Sequence, residues 1–240
     1  MAKPLIFVDG ASNTFGDELE NPQQQAWPSI LKDLTNCDVI NNATKGKSNQ
    51  HMIFDTVNFC SQNKPDLVII AFGPLDRHFF VRRDNNYCVD MTINGSNSIY
   101  DHESDTKKFK KLFFKYWTNY LYTIWTFLQG IMTLQFFLQS RNIKYIFLNS
   151  DNMLDVQQLL TISKQPVKIK RYLLDAFDVM DDDQILEIET QLNSLIDLID
   201  PSYNIDWHFR KLISFVSHPT AEQHVILAQY VHSLLPKFNV

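Results

Sequence analysis

The stretch IFVDGASNTFG, residues 6–16, decides the reading of this chain. A short apolar run stops at Asp9-Gly10, and Ser12 follows two positions later, with Gly16 closing the segment. The chain has only 6 Gly in 240 residues. Four of them follow strand-like runs directly: Gly10 and Gly16 after Leu5–Val8, Gly46 after Val39–Asn41, and Gly73 after Leu67–Phe72. Glycine allows a ligand or another backbone to come close, so these turns mark one edge of the molecule as the place to look for a site.

The fourth β-type run is Tyr145–Leu148. Helix-like segments lie between the runs, at Gln24–Leu34, Asn49–Ser61 and Thr106–Arg141. Strands alternating with helices predict a parallel sheet covered on both faces, a three-layer, flavodoxin-like α/β fold. Asp66–Phe72, DLVIIAF, is apolar after its first residue, as a central parallel strand should be. Thr220–Leu235 reads as a closing amphipathic helix that buries Val225, Ile226, Ala228, Val231, Leu234 and Leu235. The chain is expected to be one domain, residues 1–240, with insertions near 82–105 and 151–206. The first of these is polar and irregular; the second holds an acidic helix candidate, Asp182–Leu198.

Composition sets further bounds. The chain is 45% hydrophobic and 20% charged, with 18 Phe and a net charge of −5. No global basic field argues for nucleic acid. Lys107, Lys108, Lys110, Lys111 and Lys115 cluster, which reads as a solvated helix start. Cys37, Cys60 and Cys88 are odd in number and lack metal or redox spacing, so free thiols in a reducing compartment are expected. The chain enters a strand at once, without an export leader; a cytoplasmic location follows, as does the absence of a membrane partner. Leu112–Leu138 is long enough to span a bilayer, but Lys115, Asn119, Gln129 and Gln135 interrupt it, so it reads as a buried helix. Its aromatic residues serve either the core or a subunit contact, which leaves an oligomer open.

Phosphate-binding motifs fail on spacing. GASNTFG is neither a dinucleotide fingerprint nor a Walker loop, and the Gly46-Lys47-Ser48 triplet has no glycine five residues earlier. A nucleophilic serine fits better. Ser12 falls at the carboxyl edge of the sheet, where backbone N–H groups can hold an oxyanion. A serine needs a base, and His218, just before Pro219 and the last helix, can be carried back over the first strand. Ser12 Oγ is predicted within hydrogen-bond reach of His218, whose other nitrogen should meet a carbonyl, a water or a carboxylate such as Asp206.

These residues resemble the blocks of the SGNH (GDSL-type) hydrolases. Gly10-Ala11-Ser12-Asn13-Thr14-Phe15-Gly16 follows the first block; NNATKGKSN, with Gly46, the second; IIAFGPLDR, with Gly73 and Asp76, the third; and FVSHPTAEQH, with His218 and Pro219, the last. The order spans nearly the whole chain. The resemblance implies the SGNH fold and ester hydrolysis, with Ser12 as nucleophile, His218 as base, and the Ser12 and Gly46 amides as oxyanion donors. Asn13, Gly73, Asp76 and Arg77 would line the substrate. No cofactor and no metal is implied. The polar loops favour a small ester or acylated carbohydrate over a long lipid.

Three departures stand out. Leu75 replaces the third-block Asn, Phe215 replaces the Asp three residues before the histidine, and Ala11 replaces the Asp before the serine. Losing an oxyanion donor costs about 10²–10³ in rate, and losing a triad Asp about 10⁴. Arg77 is one substitute for the missing donor, or a contact for an acidic or polyhydroxylated substrate; it also reads as a salt-bridge partner of Asp76. A catalytically weak SGNH-fold binding module, for a glycan or an assembly partner, is the alternative these departures raise. Asp206 and His208 lack metal spacing, His51 reads as structural, and His78 as a loop histidine. Asp181–Asp183 reads as a helix start. The compact blocks, the replaced Asn, the long aromatic helix and the absence of an export signal together resemble SGNH-like proteins of bacteriophages, a resemblance that would imply a host cytoplasm or a virion.

Overall fold

The computed structural model describes residues 3–75, 77–81, 88–92, 108–109, 111–113, 120–149, 204–205 and 218–240. The elements in chain order are β1 (Leu5–Gly10), α1 (Ser12–Phe15), α2 (Pro22–Gln25), α3 (Trp27–Leu34), β2 (Asp38–Asn41), α4 (Asn49–Gln62), β3 (Leu67–Phe72), β4 (Arg77–Val81), β5 (Cys88–Thr92), α5 (Tyr120–Ser140), β6 (Lys144–Asn149), β7 (Asn204–Ile205) and α6 (Ala221–Leu234), with a last 3₁₀ turn at Leu235–Phe238.

Five parallel strands form one sheet in the order β2-β1-β3-β6-β7. Every residue of β3 is buried, because helices cover it on both sides. β2, at the edge, is largely exposed. Alternation along β1 and β3 separates two cores. Phe7, Val68, Ile70 and Phe72 face Met52 and Cys60 of α4 and Phe127, Leu128, Ile131 and Leu134 of α5. Ile6, Val8, Leu67 and Ile69 face Trp27 and Leu31 of α3 and Leu227, Ala228 and Val231 of α6. The predicted three layers are therefore present. Burying a side chain of this size is worth about 1.5–3 kcal/mol, so these two clusters dominate what holds the layers together.

Several local readings change. The expected helix Gln24–Leu34 is broken at Ala26, which is extended (φ −67°, ψ 144°). Pro28 has no N–H to give to Gln24, and its ring clashes with the carbonyl four residues back, so a new helix must start just before it. The stretch expected to be irregular from Arg82 contains β5, which pairs antiparallel with β4 from Arg77↔Thr92 to Val81↔Cys88. His78 lies in that hairpin, edge-on to Phe113 at 5.1 Å, rather than in an exposed loop. Asn204–Ile205 lies inside the span expected as an insertion, yet it adds the fifth strand to the main sheet.

The closing helix is also turned from its expected face. Val225 and Ile226 are exposed, and His224 and Leu227 are buried in their place. Residues 224, 227, 228, 231 and 234 form the i, i+3, i+4, i+7 stripe that one helix face presents. The polar His224 joins it because its Nδ1 accepts the Trp27 N–H at 3.1 Å. The same helix begins with a capping box, Thr220 accepting from Gln223 N–H while the Gln223 side chain accepts from Thr220 N–H.

Asp76, Asp206, His208, Phe215, the Asp181–Asp183 run and the helix candidate Asp182–Leu198 lie outside the described residues. Among the described residues, no helix is long and apolar enough to cross a membrane, and no cluster of His, Cys, Asp and Glu has the makings of a metal site.

Candidate active site

Three turns at the carboxyl ends of β1, β2 and β3 build the site. In the first, β1 ends at Gly10 and α1 starts at Ser12, whose side chain is nearly enclosed. The turn is tight: a Cβ on Gly10 would stand 2.3 Å from Thr14 Oγ1 and 2.6 Å from Thr14 Cβ. Only a residue with no side chain lets α1 fold back this closely. Ser12 O then accepts from Gly16 N–H at 2.9 Å and Asp17 N–H at 3.0 Å, fixing the segment that follows. Asn13 is half-buried beside Ser12.

In the second turn Gly46 takes φ 74°, a left-handed conformation that a side chain would strain. Among the described residues neither the Ser12 N–H nor the Gly46 N–H has a hydrogen-bond partner. Two unpaired amides are what an incoming oxyanion needs.

A buried charge network locks the first turn to the second. Lys47 is 1% exposed and Asp9 0%. Lys47 Nζ donates to Asp9 Oδ1 at 2.8 Å, Asp9 Oδ2 at 2.9 Å and Asn42 O at 3.1 Å, and pairs with Asp55 Oδ2 at 2.7 Å. Asp9 also accepts from Gly10 N–H at 2.7 Å and from Asn42 Nδ2 at 3.2 Å. Burial pushes the Asp9 carboxyl up to about 6, against the pull of the Lys47 ammonium and these hydrogen bonds. His51, read as structural, extends the network: Nδ1 lies 2.7 Å from Asp90 Oδ2, Nε2 3.5 Å from Asp55 Oδ2, and the ring stacks on Phe79 at 4.6 Å. Asp90 Oδ1 in turn accepts the Ser48 N–H at 3.0 Å, which ties the β4–β5 hairpin to the start of α4.

The third turn is clamped by Asn49. Its Nδ2 donates to Gly73 O at 2.9 Å, and its Oδ1 accepts the Gly73 N–H at 2.8 Å. Both backbone groups of Gly73 are thus committed, and what Gly73 offers a substrate is open space. That space is bounded by Ala11 Cβ, Arg77 Nη1 and Met52 Cε, 3.6, 3.8 and 4.0 Å from where a Cβ would stand. Arg77 Nη1 donates to Lys47 O at 3.3 Å, so the guanidinium bridges the second and third turns. Leu75, where the resemblance expects Asn, is buried in the core beside Ala11 and Phe72; it presents no donor.

His218 arrives at the same edge, on the approach to α6. Its ring packs against the segment after α1: Nδ1 lies 3.2 Å from Glu18 Oε1 and Nε2 3.9 Å from Asp17 Oδ2. The expected hydrogen bond from Ser12 Oγ to His218 is not formed among the described residues; the ring lies beside these two carboxylates instead. Sequence reading missed Asp9, Asp17, Glu18, Lys47 and Asn49. Asn49, three residues after Gly46 in the second block, was the one with a positional signal; a lysine beside a turn reads as solvated.

Neither a protein-family model nor a curated protein sequence matches this chain. Solved structures do. The protein TesA matches at 12% identity and TM-score 0.51, over 98% of this chain and 99% of its own. A carbohydrate esterase family 2 (CE2) enzyme with a carbohydrate-binding domain, from Corynascus thermopiles (Myceliophthora fergusii), matches at 13% identity and TM-score 0.52, over 99% of this chain and 67% of that one. A member of the lipolytic protein G-D-S-L family from Veillonella parvula matches at 11% identity and TM-score 0.45, over 97% and 98%. With its parallel sheet, its two helical layers and its glycine-bearing turns after the first three strands, the chain has the α/β fold of the SGNH (GDSL-type) hydrolases.

Proposed function

We propose that the protein is a serine esterase of the SGNH type that removes small acyl groups from carbohydrate. One observation supports this reading: Ser12 and Gly46, whose amides are unpaired among the described residues, sit in the turns after β1 and β2, and His218 lies against Asp17 and Glu18, which follow the Ser12 turn. Ser12 Oγ attacks the ester carbonyl carbon and its proton passes to His218 Nε2. The carbonyl electron pair moves onto oxygen, where the two amides hold it. Collapse expels the alkoxide, which takes the proton from His218 and leaves an acyl-serine. Water then attacks with His218 as base, and the acid is released as Ser12 regains its proton.

Arg77 lines the substrate, with Asn13 and the space over Gly73. Its guanidinium spends one donor on Lys47 O and has no carboxylate partner among the described residues, which leaves donors for sugar hydroxyls or a carboxylate. The match to a CE2 enzyme supports a carbohydrate ester as the substrate class. Cys37 and Cys60 are free and buried, which suits a reducing compartment. We retain one domain, residues 1–240, as the working unit.

The second reading, a weakly active or inactive binding module, is favoured by buried Leu75 and by the missing Ser12–His218 hydrogen bond. Hydrolysis of p-nitrophenyl acetate and acetylated xylo-oligosaccharide by wild type and Ser12→Ala separates the two. The esterase reading expects activity that the variant loses, and a fluorophosphonate probe that labels Ser12. Equal rates and an unlabelled Ser12 would leave the binding module.

A further inference from the structure

We propose that Glu18 is the positioning carboxylate of His218, taking the place of the Asp that Phe215 replaces; the inference rests on the hydrolase reading above. The His218 Nδ1 atom is shut off from solvent and makes no hydrogen bond among the described residues, yet Glu18 Oε1 lies 3.2 Å away. A buried ring N–H without an acceptor is unfavourable, and a small turn of ring or carboxylate completes this bond. The other neighbouring carboxylate, Asp17, is engaged elsewhere. Its Oδ1 pairs with Lys45 and accepts the Glu18 N–H at 3.1 Å, while its Oδ2 stays 3.9 Å from Nε2, beyond hydrogen-bond reach. Nε2 is thereby left to receive a proton.

The backbone fixes this arrangement to the nucleophile. Asp17 N–H donates to Ser12 O at 3.0 Å. Glu18 follows at φ 69°, a left-handed conformation that a non-glycine residue adopts only at a cost. Glu18 is thus one residue from a direct bond to Ser12, and its orienting group comes from the serine's own turn rather than from the histidine's. The Glu18 side chain is 59% exposed, so solvent screens its charge. It acts chiefly by direction, holding the proton on Nδ1 so that Nε2 is the base.

Two measurements test the pairing. The first is heteronuclear NMR of the His218 ring nitrogens at alkaline pH in wild type, Glu18→Ala and Glu18→Gln. One tautomer protonated at Nδ1 in wild type, replaced by a mixture in Glu18→Ala, supports the pairing whether or not the protein is active. A mixture already in wild type, or the same ring state in wild type and Glu18→Ala, overturns it. The second is ester hydrolysis. We expect Glu18→Ala to lower kcat about tenfold with KM unchanged, well short of the roughly 10⁴ that a buried orienting Asp commands, and Glu18→Gln, which keeps an acceptor oxygen, to retain most of the activity. A kcat unchanged in Glu18→Ala, with an active wild type, overturns the catalytic part of the proposal. Wild-type turnover no faster than Ser12→Ala would instead remove the hydrolase reading, with the tautomer still reporting on Glu18.

Discussion

Lys47 Nζ sits 2.8 Å from Asp9 Oδ1 with both side chains enclosed, one at the end of β1 and the other just past the Gly46 turn. The pair pins together the two loops that carry the Ser12 and Gly46 amides. Lys47 also pairs with Asp55, but Asp9 has no second cation among the described residues, and an ion left in the interior without its counter-charge costs several kcal/mol. We therefore predict that Lys47→Met destabilises the protein by about 3–5 kcal/mol in urea unfolding. Asp9→Asn combined with Lys47→Met should recover a large part of that loss. A single variant as stable as wild type would show that the pair is not a lock.

Asn49 gives a second prediction. Asn49→Asp keeps the acceptor for Gly73 N–H but sets a carboxylate against Gly73 O, now without a donor. A buried unpaired group costs about 1–3 kcal/mol, and the third turn should loosen with it. Unfolding midpoints report the first effect and faster amide exchange at Gly73 the second. Asn49→Ala should cost at least as much, since both groups then lose their partner.

His224 makes stability depend on pH. It is fully buried, and burial lowers its pKa from the ordinary 6.5 to about 4. Above 6.5 neither the folded nor the unfolded chain holds the proton. As pH falls from 6.5 towards 4, only the unfolded chain takes it up, so stability is lost across that window, by about 3 kcal/mol in all. Asp9 works the other way: raised to about 6, it binds its proton first in the folded chain as pH falls from 6 towards 3.8. The readout is therefore the difference between wild type and His224→Asn, whose side-chain oxygen still accepts the Trp27 N–H. That difference should shrink in wild type's disfavour as pH drops from 6.5 to 4; parallel curves would contradict it.

Arg77 separates binding from chemistry. With its guanidinium beside the Gly73 space, Arg77→Met should raise KM for an acetylated sugar several-fold and leave kcat near wild type. A fall in kcat of about 10²-fold at constant KM would make it the missing oxyanion donor instead.

Much of this was legible in the residues. Alternating strands and helices gave the layered parallel sheet, since periodicity is a local property of the chain. The glycines after three strands marked the candidate edge, and the turns at Ser12 and Gly46 could be placed because those residues form them themselves. The errors came where neighbours decide. Pro28 broke a helix whose apolar spacing was sound, and Val225 and Ile226 lost the inner face of α6 to a histidine that found Trp27 N–H waiting.

The sequence by itself therefore determined the fold class, four of the five strands of the main sheet and the backbone turns that carry the candidate nucleophile. Only the tertiary structure decided that Lys47 is interior, that Asn49 grips Gly73, and that His218 lies on Glu18, a residue 200 positions earlier. The physical reason is that a charged or amide side chain has no fixed place of its own. Its burial is favourable only where distant segments bring it a partner, and that meeting exists only once the sheet has assembled.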